Sequence, residues 1–422
     1  MTSFGSWRTL TVEQCCLRVT SGGTPSRRNP SFYVGGTIPW AKTGELKDRI
    51  VDPARIGEWI TEEALAKSSA KLLPKDTVLM AMYGDGQTIG SLGLVQSPIS
   101  CNQACCAMIP DPTICDARFL FYSLRSYRDD WIKIAHGGAQ RNLSGTIIRG
   151  REITVPPLPN QQRIAAILSA YDDLIENNTR RIAILEEMAR RLYEEWFVHF
   201  RFPGHEEAEF RETEFGITPC GWPVVPLENL VQINPRTPVP RDGLKPFVPM
   251  GSLSETIMSI GPVEERDGNS GTKFQNGDTL VARITPCLEN GKTGFVDFLD
   301  DERPAAFGST EFMVLRPSVL GPCAIYCLAR SHVFRDVAIK SMSGAEGRQR
   351  VRPESIKMFP IAHPPADLLA RFERFAGPVF AQVSALARKN ANLRAQRDLL
   401  LPKLVSGEID VSAAEAELEA AE

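Results

Sequence analysis

The sequence predicts an α+β chain built twice over. Two mixed α/β domains are separated by two long antiparallel helices that form a coiled coil, and an internal pseudo-two-fold repeat relates the halves. Three observations predict this: two long stretches of heptad-spaced apolar residues, a constant offset between them, and a Gly- and Pro-rich, β-patterned stretch ahead of each. A chain of 422 residues can bury a separate core in each half.

Domain 1 spans residues 1–158. Its short β-type runs, as at Thr77 to Tyr83, are broken by Gly and Pro, which predicts strands joined by long surface loops. The first helix, within 159–201, follows Pro156-Pro157. Its seam falls at Ile164, Leu168, Tyr171, Ile175, Asn178, Ile182, Leu185, Ala189, Leu192 and Trp196, alternating four and three residues apart. Residues 202–222 form an acidic linker. Domain 2, residues 223–363, shows β-type runs at Thr279 to Ile284 and Thr310 to Leu315.

The second helix, within 364–405, follows Pro364-Pro365. Its seam falls at Phe372, Ala376, Val379, Val383, Leu386, Asn390, Leu393, Arg397, Leu400 and Leu404. Every position is the first set plus 208, without a gap, which marks a duplication rather than two unrelated amphipathic helices. The domains repeat more loosely: Lys75-Asp76-Thr77 resembles Gly277-Asp278-Thr279, and Gly137-Gly138-Ala139-Gln140 resembles Ser343-Gly344-Ala345-Glu346. Gly377-Pro378 predicts a short helix, a kink, and then the long helix from Pro378. An acidic tail, 406–422, closes the chain.

A heptad seam leaves an apolar stripe in water, so each helix needs a partner, and its duplicate is the obvious one. A pseudo-two-fold axis makes the pair antiparallel, with residue x facing residue 568 minus x. That register sets Asn178 against Asn390, Ile175 near Leu393, Trp196 near Phe372 and Tyr171 near Arg397. A buried Asn pair costs stability but fixes register, as a spacer requires. From Ile164 to Trp196 the rise gives a rod of about 50 Å, against ~34–36 Å for one turn of B-DNA.

The formal net charge of −3 conceals an uneven distribution. Residues 202–215 hold five Glu and one Arg, and 406–422 hold six acids and no base. Residues 1–155 carry 18 basic and 14 acidic side chains, a bias compatible with phosphate contacts. Ten scattered cysteines form no CxxC pair, so they read as reduced thiols and no metal site is expected. With neither a signal-like start nor an apolar run long enough to span a bilayer, the chain is expected to be soluble and cytoplasmic.

Four stretches resemble the specificity (S) subunits of type I restriction-modification systems: SGGTPSRRNPSFYVGGTIPWAKTGEL, VPPLPNQQRIAAILSAYDDLIENN, LEEMARRLYEEWFVHFRFPG and LRAQRDLLLPKLVSGEI. The likeness covers nearly the whole chain. It implies a sequence-specific DNA-binding subunit, non-catalytic by itself, in which each domain is a target-recognition domain reading one half of a bipartite double-stranded target. It also implies helices that set the spacer and dock two methyltransferase subunits, joined by endonuclease/translocase subunits. S-adenosylmethionine, ATP and Mg2+ are then expected in those partners and none in this chain. The second helix entry, AHPPADLLARF, departs from the pattern by lacking the Gln161-Gln162 pair.

Catalytic motifs are incomplete. Asn29-Pro30-Ser31 and Asn234-Pro235-Arg236 fail the Asn/Asp-Pro-Pro-aromatic loop of adenine methyltransferases, and Glu45-Leu46-Lys47 lacks an upstream Pro-Asp for a nuclease. In Pro286-Cys287-Leu288-Glu289-Asn290-Gly291-Lys292-Thr293 a Pro stands where a phosphate-binding loop needs Gly, and a strand pattern follows instead of a helix. Gly84 to Gly90 is no dinucleotide fingerprint, because its third Gly is one place late. No catalytic residue is therefore assigned.

Base readout needs Arg, Lys, Asn, Gln, Ser or Thr on loops that can enter a groove. In domain 1 the candidates are Lys42, Thr43, Tyr83, Gln87, Thr88, Asn102, Gln103, Gln140, Arg141 and Asn142. In domain 2 they are Ser252, Arg283, Thr285, Asn290, Lys292, Thr310, Arg348, Gln349 and Arg350. The 140–142 and 348–350 clusters stand out, because glycines precede both at matching places in the repeat. The competing reading is a coiled-coil scaffold with two protein- or glycan-binding domains, supported by the neutral charge balance of residues 216–361.

Overall fold

The structure is a computed structural model that describes residues 7–84, 88–135, 142–214, 216–345 and 348–411. It divides into two compact units. Unit 1 comprises residues 1–175 and 392–422, and unit 2 comprises 176–391. Each long helix thus contributes to both units.

In unit 1 a five-stranded sheet runs in the order Cys16–Ser21, Cys105–Pro110, Val78–Ala81, Leu92–Val95, Arg49–Val51. Its pairs are antiparallel except the last, which is parallel. The central strand Val78–Ala81 is buried throughout, as befits an uninterrupted apolar run covered on both faces. A three-stranded sheet (Trp59–Ile60, Ile38–Ala41, Ser100–Cys101) lies in the same unit. Helices Ala117–Ser126 and Arg128–Ile134 follow, the first capped by the Asp116 carboxylate on the Phe119 N–H.

Unit 2 repeats the plan. An antiparallel sheet runs Val231–Ile233, Phe312–Pro317, Thr279–Ala282, Thr293–Phe295. A second runs Glu264–Arg266, Lys245–Val248, Ala305–Gly308, Thr272–Gln275. Helices Pro322–Arg330 and His332–Lys340 follow. Asp76 and Gly277, both at positive φ, donate their N–H groups to Val95 O and Val296 O ahead of the two central strands. Asp76 therefore corresponds to Gly277, not to Asp278, one residue from the match suggested by the sequence. Each domain closes with an antiparallel pair just before its long helix: Arg8–Thr11 with Glu152–Val155, and Val224–Pro226 with Pro360–Ala362.

The first long helix, Leu158–Tyr193, ends in a wider π-type turn at Glu194–Val198. The second, Ala366–Ser406, is one continuous helix, so Gly377-Pro378 does not divide it into a short and a long helix. Pro378 removes one backbone donor, a loss that the packing of Ala376 and Phe380 into the unit 2 core outweighs. None of the predicted seam positions is exposed. Ile164, Leu168 and Leu404 join the unit 1 core, while Ile182, Ala189, Phe372, Ala376, Val383 and Leu386 join that of unit 2. Tyr193, Phe197 and Phe380 are also buried although they lie off the heptad seam, because unit 2 packs on more of the helix surface than a two-stranded coiled coil would cover.

The two helix entries reach the same target by different residues. Gln161 accepts from Asp116 N at 2.8 Å and donates to Ile114 O and Pro156 O. In the second half the Glu373 carboxylate accepts from Cys323 N and Ala324 N, at the start of helix Pro322–Arg330. A carboxylate there complements the partial positive charge of a helix N-terminus, which compensates for the missing Gln-Gln.

Candidate nucleic-acid interface

Each unit carries a cleft beyond the C-terminal end of its central strand, and one backbone bond is repeated at that strand end. In unit 1, Leu143 N donates to Met82 O at 2.8 Å and Tyr83 bridges Asn142. In unit 2, Val351 N donates to Arg283 O at 2.8 Å and Ile284 bridges Arg350. The loops 142–144 and 350–352, each just ahead of a short helix (Gly145–Arg149, Pro353–Lys357), are thereby tied to the strand end.

The unit 1 cleft, about 290 Å³, is lined by Thr20, Ser21, Tyr83, Asn142, Ser144 and Arg149 among others. Tyr83 is 39% exposed. Arg149 donates to Val19 O at 3.0 Å, which fixes its guanidinium in the wall. Apart from Arg149 the lining is uncharged, with Met82, Cys106 and Leu143 among the polar side chains.

The unit 2 cleft is larger, about 660 Å³, and strongly basic. Arg236, Lys273 and Arg283 line it with Thr272, Thr310 and Phe312, and no carboxylate is part of the lining. The Asn234-Pro235-Arg236 loop forms one wall. Asn234 exchanges two hydrogen bonds with the Val314 backbone, and Arg316, paired with the buried Asp278 at 2.6 Å, donates to Thr237 at 2.7 Å. Beside the cleft Glu311 accepts from Arg350 through both Nε and Nη2 (2.8–3.0 Å) and from Arg283 Nε at 3.3 Å. The Arg350 guanidinium holds the Glu311 carboxyl below its ordinary pKa despite an opposing effect of burial, and Arg283 adds to this.

Predicted readers fall into three groups. The structure brings Tyr83 and Asn142 into the first cleft, and Arg283 and Thr310 into the second with Arg350 beside it. Gln349 lies next to them, its carbonyl accepting from Thr285 N, and Arg348 is exposed. Thr88 is half-buried, beyond the central strand.

A second group is held elsewhere. Lys42 pairs with Glu58 beside the Trp40 ring, and Thr43 opens the turn Thr43–Glu45. Gln103 accepts from Thr24, and Asn290 donates to Glu255 at 3.1 Å. Lys292 is half-buried at the end of the hairpin joining Thr279–Ala282 to Thr293–Phe295. Three candidates are buried in whole or at one polar atom. Ser252 is buried with its hydroxyl donated to Pro262 O, and Asn102 Oδ1 and Thr285 Oγ1 are buried. The third group, Gln87, Gln140 and Arg141, lies outside the described residues.

Sequence reasoning missed Arg149, Arg236, Lys273 and Glu311: Arg236 and Lys273 reach the cleft from distant segments, while Arg149 and Glu311 lie close in sequence to Asn142 and Thr310 and take their places only through packing. Only the Asn-Pro turn ahead of Arg236 gave a local signal.

The seam holds its own polar contacts. In unit 2, Asn178 Nδ2 donates to Asn390 Oδ1 at 2.9 Å, and the Trp196 and Phe372 rings lie 6.3 Å apart, so index falls on one helix as it rises on the other and the segments run antiparallel. In unit 1 the partner of Arg397 is Asp172, rather than the neighbouring Tyr171. A long charged side chain reaches past the seam position to the carboxylate beside it. Asp172 also accepts from Arg125 at 3.1 Å and Tyr122 at 2.9 Å. Among the described residues no helix is long and apolar enough to cross a membrane.

The family model for the type I restriction modification DNA specificity domain matches residues 7–187. The MjaIX type I restriction enzyme specificity subunit of Methanocaldococcus jannaschii is 26% identical over 411 residues, 93% of this chain and 91% of that protein. The EcoR124I/EcoR124II specificity subunit of Escherichia coli is 29% identical over 190 residues, 44% of this chain and 46% of its own length. Among solved structures, the type I restriction-modification S subunit from M. genitalium aligns with a TM-score of 0.58 at 14% identity, covering 96% of this chain and 97% of that one, a likeness of fold.

Proposed function

We propose, from the premise that this chain belongs to the type I restriction-modification specificity subunits, that its two clefts read the two halves of one bipartite DNA target. The observation that carries this reading is the repeated tie between strand end and loop, Leu143 N to Met82 O and Val351 N to Arg283 O, which sets polar side chains at the mouth of a cleft in both units. Tyr83 and Asn142 would read one half-site, Arg283, Thr310 and Arg350 the other, with Arg348 touching DNA beside them. Arg236, Lys273 and Arg149 supply donors for phosphate.

The chain contributes no bond-making chemistry in this reading. It binds double-stranded DNA in the cytoplasm, and its long helices set the number of unread base pairs. The same helices dock two methyltransferase subunits, which carry S-adenosylmethionine, and endonuclease/translocase subunits, which carry ATP and Mg2+. Exposed apolar side chains on the helices fit such docking: Ile167 and Leu174 in unit 1, and Ile184, Met188 and Phe375 in unit 2. Ile167 and Phe375 occupy the same place in the 208-residue repeat.

Gel shifts with the chain and its methyltransferase partner test the reading. Arg348→Ala with Arg350→Ala is expected to weaken binding and flatten its salt dependence. Sequence-independent binding by the wild-type assembly would reject it.

A further inference from the structure

The two arginines of the 348–350 cluster are not equivalent. Arg348 is exposed, and its guanidinium makes no ion pair among the described residues. Arg350 presents its Nε–Nη2 edge to Glu311 in a bidentate pair, and the same carboxylate also takes Arg283. Glu311 sits between the two strands that build the cleft. It directly precedes Phe312–Pro317, and its carbonyl accepts from Arg283 N, just past Thr279–Ala282. The carboxylate is therefore a built part of the cleft rim.

Phosphate is attracted by net charge, whereas guanine presents O6 and N7 as neutral acceptors that demand a planar two-donor fork. A carboxylate on the Nε–Nη2 edge of a guanidinium cancels most of its attraction for an anion and keeps the plane fixed, while Nη1 and the second N–H of Nη2 remain as a two-donor fork. It also places an acceptor beside the donors, the complement of cytosine N4 across the pair.

Resting on the DNA-reading assignment above, we infer that Arg350 and Glu311 act together as a base-reading pair selective for one G·C step of the unit 2 half-site, while Arg348 is a phosphate contact. Glu311 is then a specificity filter: it keeps Arg350, and in part Arg283, from binding phosphates of any sequence.

The test uses the full-length chain assembled with its methyltransferase subunits. Equilibrium binding is measured over a salt series on the mapped target, on its single-base-pair variants and on a random duplex. Arg350→Ala is expected to lose roughly tenfold or more discrimination at one G·C position, with the salt slope kept. Arg350→Lys should lose it too, since an ammonium cannot supply the fork. Arg348→Ala should flatten the slope by about 0.9 and leave every base preference intact. Glu311→Gln should steepen the slope on random DNA by about 1 and reduce discrimination at the same G·C position as Arg350→Ala. The inference is overturned if Arg350→Ala flattens the slope as Arg348→Ala does while base preferences persist, or if Glu311→Gln changes neither quantity. A wild-type assembly that prefers no duplex sinks the DNA-reading assignment itself.

Discussion

At the residue scale, the Asn178–Asn390 hydrogen bond sits among apolar neighbours, with Asn390 also donating to Thr179 at 3.2 Å. Asn178→Leu removes the donor to the Asn390 Oδ1 and should cost about 1–3 kcal/mol in urea unfolding, while Asn178→Leu with Asn390→Leu should recover most of it. Recovery in the double variant separates an orphaned polar group from a packing defect. Glu186 makes a different case. It accepts from Met258 N at 2.8 Å, and burial pushes its carboxyl up to about 7. A raised folded pKa favours the protonated form, so its contribution is full below the unfolded value near 4.3 and is lost as pH rises through about 7. Glu186→Gln should therefore melt with wild type at pH 4 and above it at pH 8, a gain of up to about 3 kcal/mol. The Asn pair was legible in sequence because heptad period and repeat symmetry locate it without side-chain detail. Glu186 was not, since its burial comes from Met258 and Tyr326, far along the chain.

At the element scale, the long helices show what pattern alone fixes and where it stops. Ten seam positions per helix could be read from spacing, but the unbroken passage through Pro378 could not, because tertiary packing of Ala376 and Phe380 overrides a local breaker. Pro378 itself is exposed, so Pro378→Ala should restore the bond to the Arg374 carbonyl and raise stability by about 1–3 kcal/mol, measured as a shift of the urea midpoint at unchanged slope. The polar knot in unit 1 should respond oppositely. Asp172 neutralises the largely buried Arg397 and Arg125 at once. Asp172→Asn takes the counterion from Arg125 and leaves Arg397 only the exposed Asp398, and is expected to cost about 3 kcal/mol, the low end for a broken buried pair. The clefts were less legible than the helices for a geometric reason: Asn234, Lys273, Arg283 and Thr310 meet only after four strands have paired, and no period in the sequence records that meeting.

At the scale of the whole molecule, the duplication supplies two clefts whose linings have diverged. Unit 1 offers Tyr83, Asn142, Thr20 and Ser21, while unit 2 offers arginines, a lysine and a paired carboxylate. Framework positions such as Asp76 and Gly277, or Leu143 and Val351, kept the same bonds while the side chains at the cleft mouths changed. Because the described units each hold their own core and cleft, substitutions at one cleft should alter one half of the target and leave the other unchanged. In cells that supply the methyltransferase subunits, adenine methylation mapped across the genome checks this. Tyr83→Ala with Asn142→Ala should relax base preference in one half of the motif, and Arg348→Ala with Arg350→Ala in the other, with the unread gap constant in both. Relaxation of both halves by either pair would mean that the clefts act as a single site. A change in the gap would mean that cleft residues, rather than the helices, set the spacing.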